Sequence, residues 1–174
     1  MNPKLRLLEE KDAPLMLEWM HDDEITQWLE KDFATKNIED CQSFIRNSRS
    51  QTNTFNFAIV DDNDSYQGTV SLKNISKKCS NAEFAIVIRR EAMAKGYSTY
   101  AINEIIRRGL DADEINEVYW CVSPKNKRAI RFYDKNGFQR ISFDELSIDT
   151  MIAQSSSWYT DEQIAEFYWY HVIR

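Results

Sequence analysis

Glycine, proline and histidine are scarce in this chain: four, three and two among 174 residues. No low-complexity tract, linker or internal repeat is present, so a single domain over 1–174 is expected. The three cysteines, Cys41, Cys79 and Cys121, are odd in number, widely spaced and without a CxxC pair. That spacing excludes a disulfide framework or a zinc site and suits a reducing compartment. No apolar run approaches the roughly 20 residues a membrane span needs, and the N-terminal MNPKLRLLEEKD lacks the layout of a signal peptide. A cytoplasmic protein without a membrane partner is expected. Positive charge is also short. With 22 Lys and Arg against 28 Asp and Glu, the net charge is −6, which excludes a general nucleic-acid binder that must displace counterions.

What is present is an ordinary globular balance of 43% hydrophobic and 29% charged residues. Asp12 as a cap with Pro14 behind it predicts a helix to about Met20. Asp22 or Asp23 caps a short second piece, and Thr35 is a candidate cap for a third helix carrying Ile38, Cys41, Phe44 and Ile45. From residue 54 the period changes. Strands are predicted over 55–60, 66–75, 82–88 and 116–124, the first two forming a hairpin. A helix over 125–136 follows, then strands over 138–147 and 166–173 with an excursion at 149–163. The fold class is α/β, with N-terminal helices, an antiparallel meander and then alternating strands and helices.

With so few glycines, each position is informative. Gly109 and Gly137 read as helix stops, and Gly68 as a bulge or a close approach in a strand. Gly96 stands between a strand and an amphipathic helix, where unpartnered backbone N–H groups can cradle a phosphate. Arg89, Arg90 and Lys95 form a basic patch beside it.

MAKGYSTYA (93–101) and NKRAIRFYDKNGF (126–138) resemble the GNAT family of acyl-CoA-dependent N-acetyltransferases. The family's pyrophosphate loop reads Gln/Arg-x-x-Gly-x-Gly/Ala. Gly96 matches its first glycine, while Met93 and Ser98 depart from the usual types. The second motif, Asn-x-x-Ala-x-x-x-Tyr-x-x-x-Gly-Phe, is matched at Asn126, Ala129, Tyr133, Gly137 and Phe138. The resemblance implies a single GNAT domain with a mixed central sheet and acetyl-CoA between two splayed parallel strands, 82–88 and 117–123. It implies that the pyrophosphate takes N–H bonds from Ala94, Lys95, Gly96, Tyr97, Ser98 and Thr99. The pantetheine arm would pair with the backbone of Ile86, Val87 and Ile88, and Asn126 would touch the cofactor further along.

The amine attacks the thioester directly, so no protein nucleophile is needed. Tyr133 matches the position from which family members protonate the leaving thiolate. One branch carries a glutamate where this chain has Cys121, so Glu83 is the candidate base, with His21 and His171 as alternatives. The AEFAIVI run around Glu83 resembles the branch that acetylates ribosomal-protein N-termini. The stretch 19–29 resembles amino-sugar-nucleotide N-acetyltransferases. Trp19 and Trp28 are candidates for an acceptor wall, and Asp22, with Asp23 and Glu24, for attracting a cationic amine. The expected acceptor is a small amine or amino-sugar nucleotide, with a protein N-terminus as the alternative. A non-catalytic acyl-CoA sensor is the competing class, and a monomer or homodimer is expected. No metal is called for.

Overall fold

The computed structural model describes residues 2–29, 32–112, 114–145 and 160–174. In chain order the elements are β1 (Lys4–Leu7), α1 (Ala13–Met20), α2 (Asp23–Thr26), α3 (Ile38–Ser48), β2 (Phe55–Val60), β3 (Tyr66–Ser76), β4 (Asn81–Ile88), α4 (Tyr97–Asp111), β5 (Glu117–Val122), α5 (Lys127–Lys135), β6 (Gln139–Ile141), α6 (Asp161–Glu166) and β7 (Tyr168–Ile173). One seven-stranded sheet runs β1-β2-β3-β4-β5-β7-β6. Every pairing is antiparallel except β4 with β5.

The period of two along the strands sends side chains to two cores. On one face Ile59, Val70, Leu72, Phe84, Val118 and Trp120 pack against α4 and α5. On the other Ala58, Val60 and Tyr66 meet Met16, Trp19 and Met20 of α1 and Cys41 and Ile45 of α3. Helix α4 buries Ala101, Ile102, Ile105 and Ile106 as one stripe, each isoleucine worth about 1.5–3 kcal/mol. Both faces being covered explains why these strands read as nearly continuous apolar runs.

Several expectations need correction. The third helix is capped by Asn37 in a reciprocal box with Asp40, not by Thr35; the box satisfies two end groups where a lone threonine satisfies one. Gly109 lies inside α4, and a Cβ there would sit 2.8 Å from Leu72 Cδ1, so it permits close helix–sheet contact rather than ending the helix. Gly68 fits its expectation: a Cβ would lie 2.3 Å from the Val87 carbonyl oxygen, and the β2–β3 register shifts beside it. The strand expected over 138–147 shortens to β6, with a 3-10 turn at Phe143–Glu145. The segment 149–159 of the expected excursion lies outside the described residues. Helix α6 precedes β7, which begins at Tyr168.

Candidate active site

The parallel pairing of β4 with β5 lasts three rungs, Asn81–Glu117, Ala82–Val118 and Glu83–Tyr119. Beyond it β4 stays with β3 as far as Ile88, and β5 stays with β7 as far as Val122. A cleft therefore opens between the two strands, and the backbone of Ile86, Val87 and Ile88 has no strand partner on that side among the described residues. Phe84 and Trp120 occupy the first unpaired rung, their rings edge to face at 5.3 Å. Tyr133 lies against both, at 6.5 Å from Phe84 and 5.2 Å from Trp120.

Tyr133 is held there by how α5 begins and ends. Asn126 caps the helix, its Oδ1 accepting the Ala129 N–H at 3.1 Å. At the other end the Phe138 N–H donates to the Tyr133 carbonyl (3.2 Å) and the Gly137 N–H to that of Asp134 (3.0 Å). With Gly137 at φ 78, this is a Schellman stop, and Phe138 folds back onto Tyr133 and Trp120. Gly137→Ala forces a side chain into the left-handed region at about 1–2 kcal/mol. Calorimetry should register a fall in Tm of roughly 2–8 °C; an unchanged Tm would mean that the stop does not form. Burial pushes the Tyr133 phenol above the ordinary value of 10.0, with Tyr170 and then Cys121 adding to it.

The second component is the turn before α4. Ala94 has φ 60 and Gly96 φ 85, so the backbone curls with its N–H groups to one side. Among the described residues nothing accepts from the N–H groups of Ala94, Lys95, Gly96, Tyr97, Ser98 or Thr99. A Cβ on Gly96 would meet nothing within 4 Å, so the space above the cradle is open, and a hollow of about 590 Å³ runs from Gly96 and Thr99 along α4 to Arg107. Oriented N–H groups at a fifteen-residue helix start suit a diphosphate. Met93 does not touch this space; it packs between the two cores with Arg128 Nη1 2.7 Å from its sulfur.

The basic patch is corrected. Arg89 and Arg90 are occupied by Glu18 and Asp22, which leaves Lys95, exposed and paired with none of the described residues.

The acceptor expectations fare unevenly. Trp19 is no ligand wall: it is 5% exposed, with its Nε1 donating to the Tyr66 hydroxyl at 3.0 Å and its ring edge-on to Phe33. Asp22 is not free to attract an amine. It caps α2, accepting the Glu24 N–H at 3.1 Å, and the Arg90 guanidinium holds its carboxyl below the usual range. Trp28 is half-buried. Asp23 and Asp32 do line a hollow of about 340 Å³ with Thr26, Gln27, Phe33 and Ala34. Asp32 and Phe33 were missed because their chain positions carry no motif; only the fold brings them to α2.

Glu83 stands on the last paired rung, on the sheet face away from Tyr133. Its carboxylate is engaged by Lys73 Nζ at 2.9 Å and Asn74 Nδ2 at 2.7 Å. Lys73 faces Glu83 because a bulge shifts the β3–β4 register between Lys73 and Ser76. Counting straight back from the Ser76–Asn81 pair puts Asn74 opposite Glu83 instead, so the pairing was not readable from the sequence. Of the other base candidates, His21 is exposed, with Nε2 2.8 Å from the Lys36 carbonyl, and His171 Nδ1 meets Glu117 at 2.8 Å. Neither borders the cleft. Among the described residues no group of acids, histidines or cysteines could hold a metal, and no described helix is long and apolar enough to cross a membrane.

A family profile described as an acetyltransferase (GNAT) domain matches residues 4–139. The chain belongs to the GNAT acetyltransferase family. As a GNAT enzyme it is an N-acetyltransferase that draws its acetyl group from acetyl-CoA, and the splayed strands and open cradle fit that donor. Over 141 residues, 78% of each chain, it is 24% identical to an uncharacterised N-acetyltransferase, p20, of Bacillus licheniformis. It is 28% identical to a spermidine N(1)-acetyltransferase of Vibrio cholerae over 82 residues, 47% of each chain. Among solved structures, the Vibrio cholerae spermidine N-acetyltransferase in complex with CoA and spermine shares the fold at TM-score 0.76 and 17% identity, covering 98% of this chain and 95% of that one.

Proposed function

We propose that this GNAT enzyme acetylates a primary amine of a small, cationic metabolite, with a polyamine-type amine as the first candidate. The observation that carries this reading is the acidic hollow of Asp23 and Asp32 beside Phe33, which offers two carboxylates and an aromatic ring to a flexible polycation. The polyamine acetyltransferase relative supports the same substrate class. In this reading the diphosphate of acetyl-CoA takes the N–H groups of Ala94 through Thr99, the pantetheine arm pairs with Ile86–Ile88 like an added strand, and Asn126 contacts the donor with its amide nitrogen. The neutral amine attacks the thioester carbonyl, the C–S bond breaks, and Tyr133 gives its hydroxyl proton to the departing CoA sulfur, while the proton that the nitrogen sheds on becoming an amide returns the Tyr133 phenolate to its neutral form.

Glu83 serves in this reading as the structural partner of Lys73, and the ammonium loses its proton to solvent. The rate at fixed total amine should then climb about tenfold per pH unit well below the amine's value of about 10.4. Because Tyr133 must be protonated to donate and burial raises its pKa, no alkaline fall is expected below the ordinary 10.0. Glu83→Gln should leave that slope intact while lowering Tm. A neutral-pH plateau in the wild type that Glu83→Gln abolishes would instead make Glu83 the base. The acceptor class is tested by mass spectrometry after incubation with acetyl-CoA and spermidine, an amino-sugar nucleotide or a peptide with a free N-terminus. Acetylated spermidine is expected; modification of the sugar or peptide alone would overturn the polyamine assignment.

A further inference from the structure

Arg89 and Arg90 follow β4 directly and lead into the cradle through a single 3-10 turn, Arg90–Ala92. Both side chains turn away from the cradle, toward α1 and α2. Arg89 is 7% exposed. Its Nε and Nη2 donate to the Glu18 carboxylate on α1 at 3.0 and 2.9 Å, and its Nη1 donates to the Tyr66 carbonyl at 3.2 Å. Arg90 grips the Asp22 carboxylate with Nε at 2.6 Å and with Nη2, and its Nη1 lies 3.2 Å from Glu24 Oε2. A planar guanidinium bonded at two points fixes orientation as well as distance.

What the arginines hold is an element that cannot stand alone. Helix α2 has four residues, far below the length at which a helix persists unaided. It rests on the buried Ile25, on the Asp22 cap and on the Arg90 fork that holds that cap. Three residues separate Arg90 from Ala94, and one of them, Met93, packs against both cores. The turn that shapes the cradle is thus tied at one end to the helices beside the acidic hollow.

We propose that Arg89 and Arg90 form a joint that couples the donor cradle to the α1–α2 segment, so that CoA in the cradle steadies α2 before the amine arrives. The inference rests on reading the cradle as the CoA site and α2 as acceptor-side. Both arginines are positioning residues that touch neither substrate. An element of low local stability is where such coupling is felt.

Hydrogen exchange of the full chain, with and without CoA, decides the matter without needing the acceptor. In the wild type, CoA should slow exchange in peptides covering 94–101 and also, by at least about fivefold, in those covering 21–29. In Arg90→Gln the protection at 94–101 should persist while that at 21–29 is lost. Asp22→Asn, which keeps an oxygen to cap α2 but removes the charge facing Arg90, should behave likewise. Protection at 94–101 with none at 21–29 in the wild type overturns the joint, as does protection at 21–29 that survives both variants. Absence of protection at 94–101 overturns the donor reading itself, and the joint with it.

Discussion

Tyr133→Phe should lower kcat by about 10²–10⁴-fold while leaving the KM for acetyl-CoA and the Tm close to wild type. The ring makes the structural contacts: Phe84, Trp120, Phe138 and Tyr170 all lie within 6.5 Å of it, centroid to centroid. Phenylalanine keeps every one. Among the described residues the hydroxyl has no hydrogen-bond partner, so its removal forfeits no native bond and spares the desolvation of a polar group. What disappears is the proton for the CoA sulfur. Burial keeps the phenol protonated across the working pH range, and the same burial makes it a weak acid, so transfer must follow the build-up of charge on sulfur as the C–S bond breaks. Stopped-flow single turnovers separate this step from product release. A kcat within about threefold of wild type would remove Tyr133 from the chemistry and leave it as a core aromatic.

Thr99→Asp should move stability and affinity in opposite directions. Thr99 is the third residue of α4, and its N–H is one of the six the cradle offers. A carboxylate there meets the positive end of the helix and stabilises the free protein by about 0.3–1 kcal/mol. Set about 5 Å from a bound diphosphate, the same charge costs roughly 3 kcal/mol at an effective dielectric near 20, or about 10²-fold in acetyl-CoA affinity. Titration calorimetry with CoA and a thermal melt on the same sample report both. A higher Tm with unchanged CoA affinity would place the diphosphate elsewhere, and no misfolding could produce that pair of results.

Local features that depend on neighbours in the chain were legible from sequence. The apolar run of residues 55–60 and the helical stripe after Gly96 marked a strand and α4, and Gly137 was identified as a helix stop from its position alone. The cradle and Tyr133 were reached through two motifs, and the structure brings them to the same end of β4 and β5. What sequence could not deliver were decisions made by distant partners. Arg89 and Arg90 read as a basic patch beside the cradle until α1 and α2 supplied carboxylates about 70 positions away in the chain. Trp19 looked like a ligand wall, but Tyr66 and Phe33 close over it. Asp22 was singled out for its charge, which is committed to Arg90, whereas Asp32, which shares the hollow with Asp23, carried no signal. Glu83 lay between these cases: the hairpin brings residues 73 and 74 to it, but the bulge that sets Lys73 opposite carries no signal in the sequence.

The most direct test of the whole account is the release of CoA thiol from acetyl-CoA with spermidine as acceptor, followed for wild type and Tyr133→Phe alongside calorimetric binding of CoA. The expectation is spermidine-dependent release that saturates with acetyl-CoA in the wild type, and full CoA binding with release nearly abolished in Tyr133→Phe. Tight CoA binding in both proteins, with no amine-dependent release from spermidine, an amino-sugar nucleotide or a peptide N-terminus, would contradict it and describe an acyl-CoA-binding module instead.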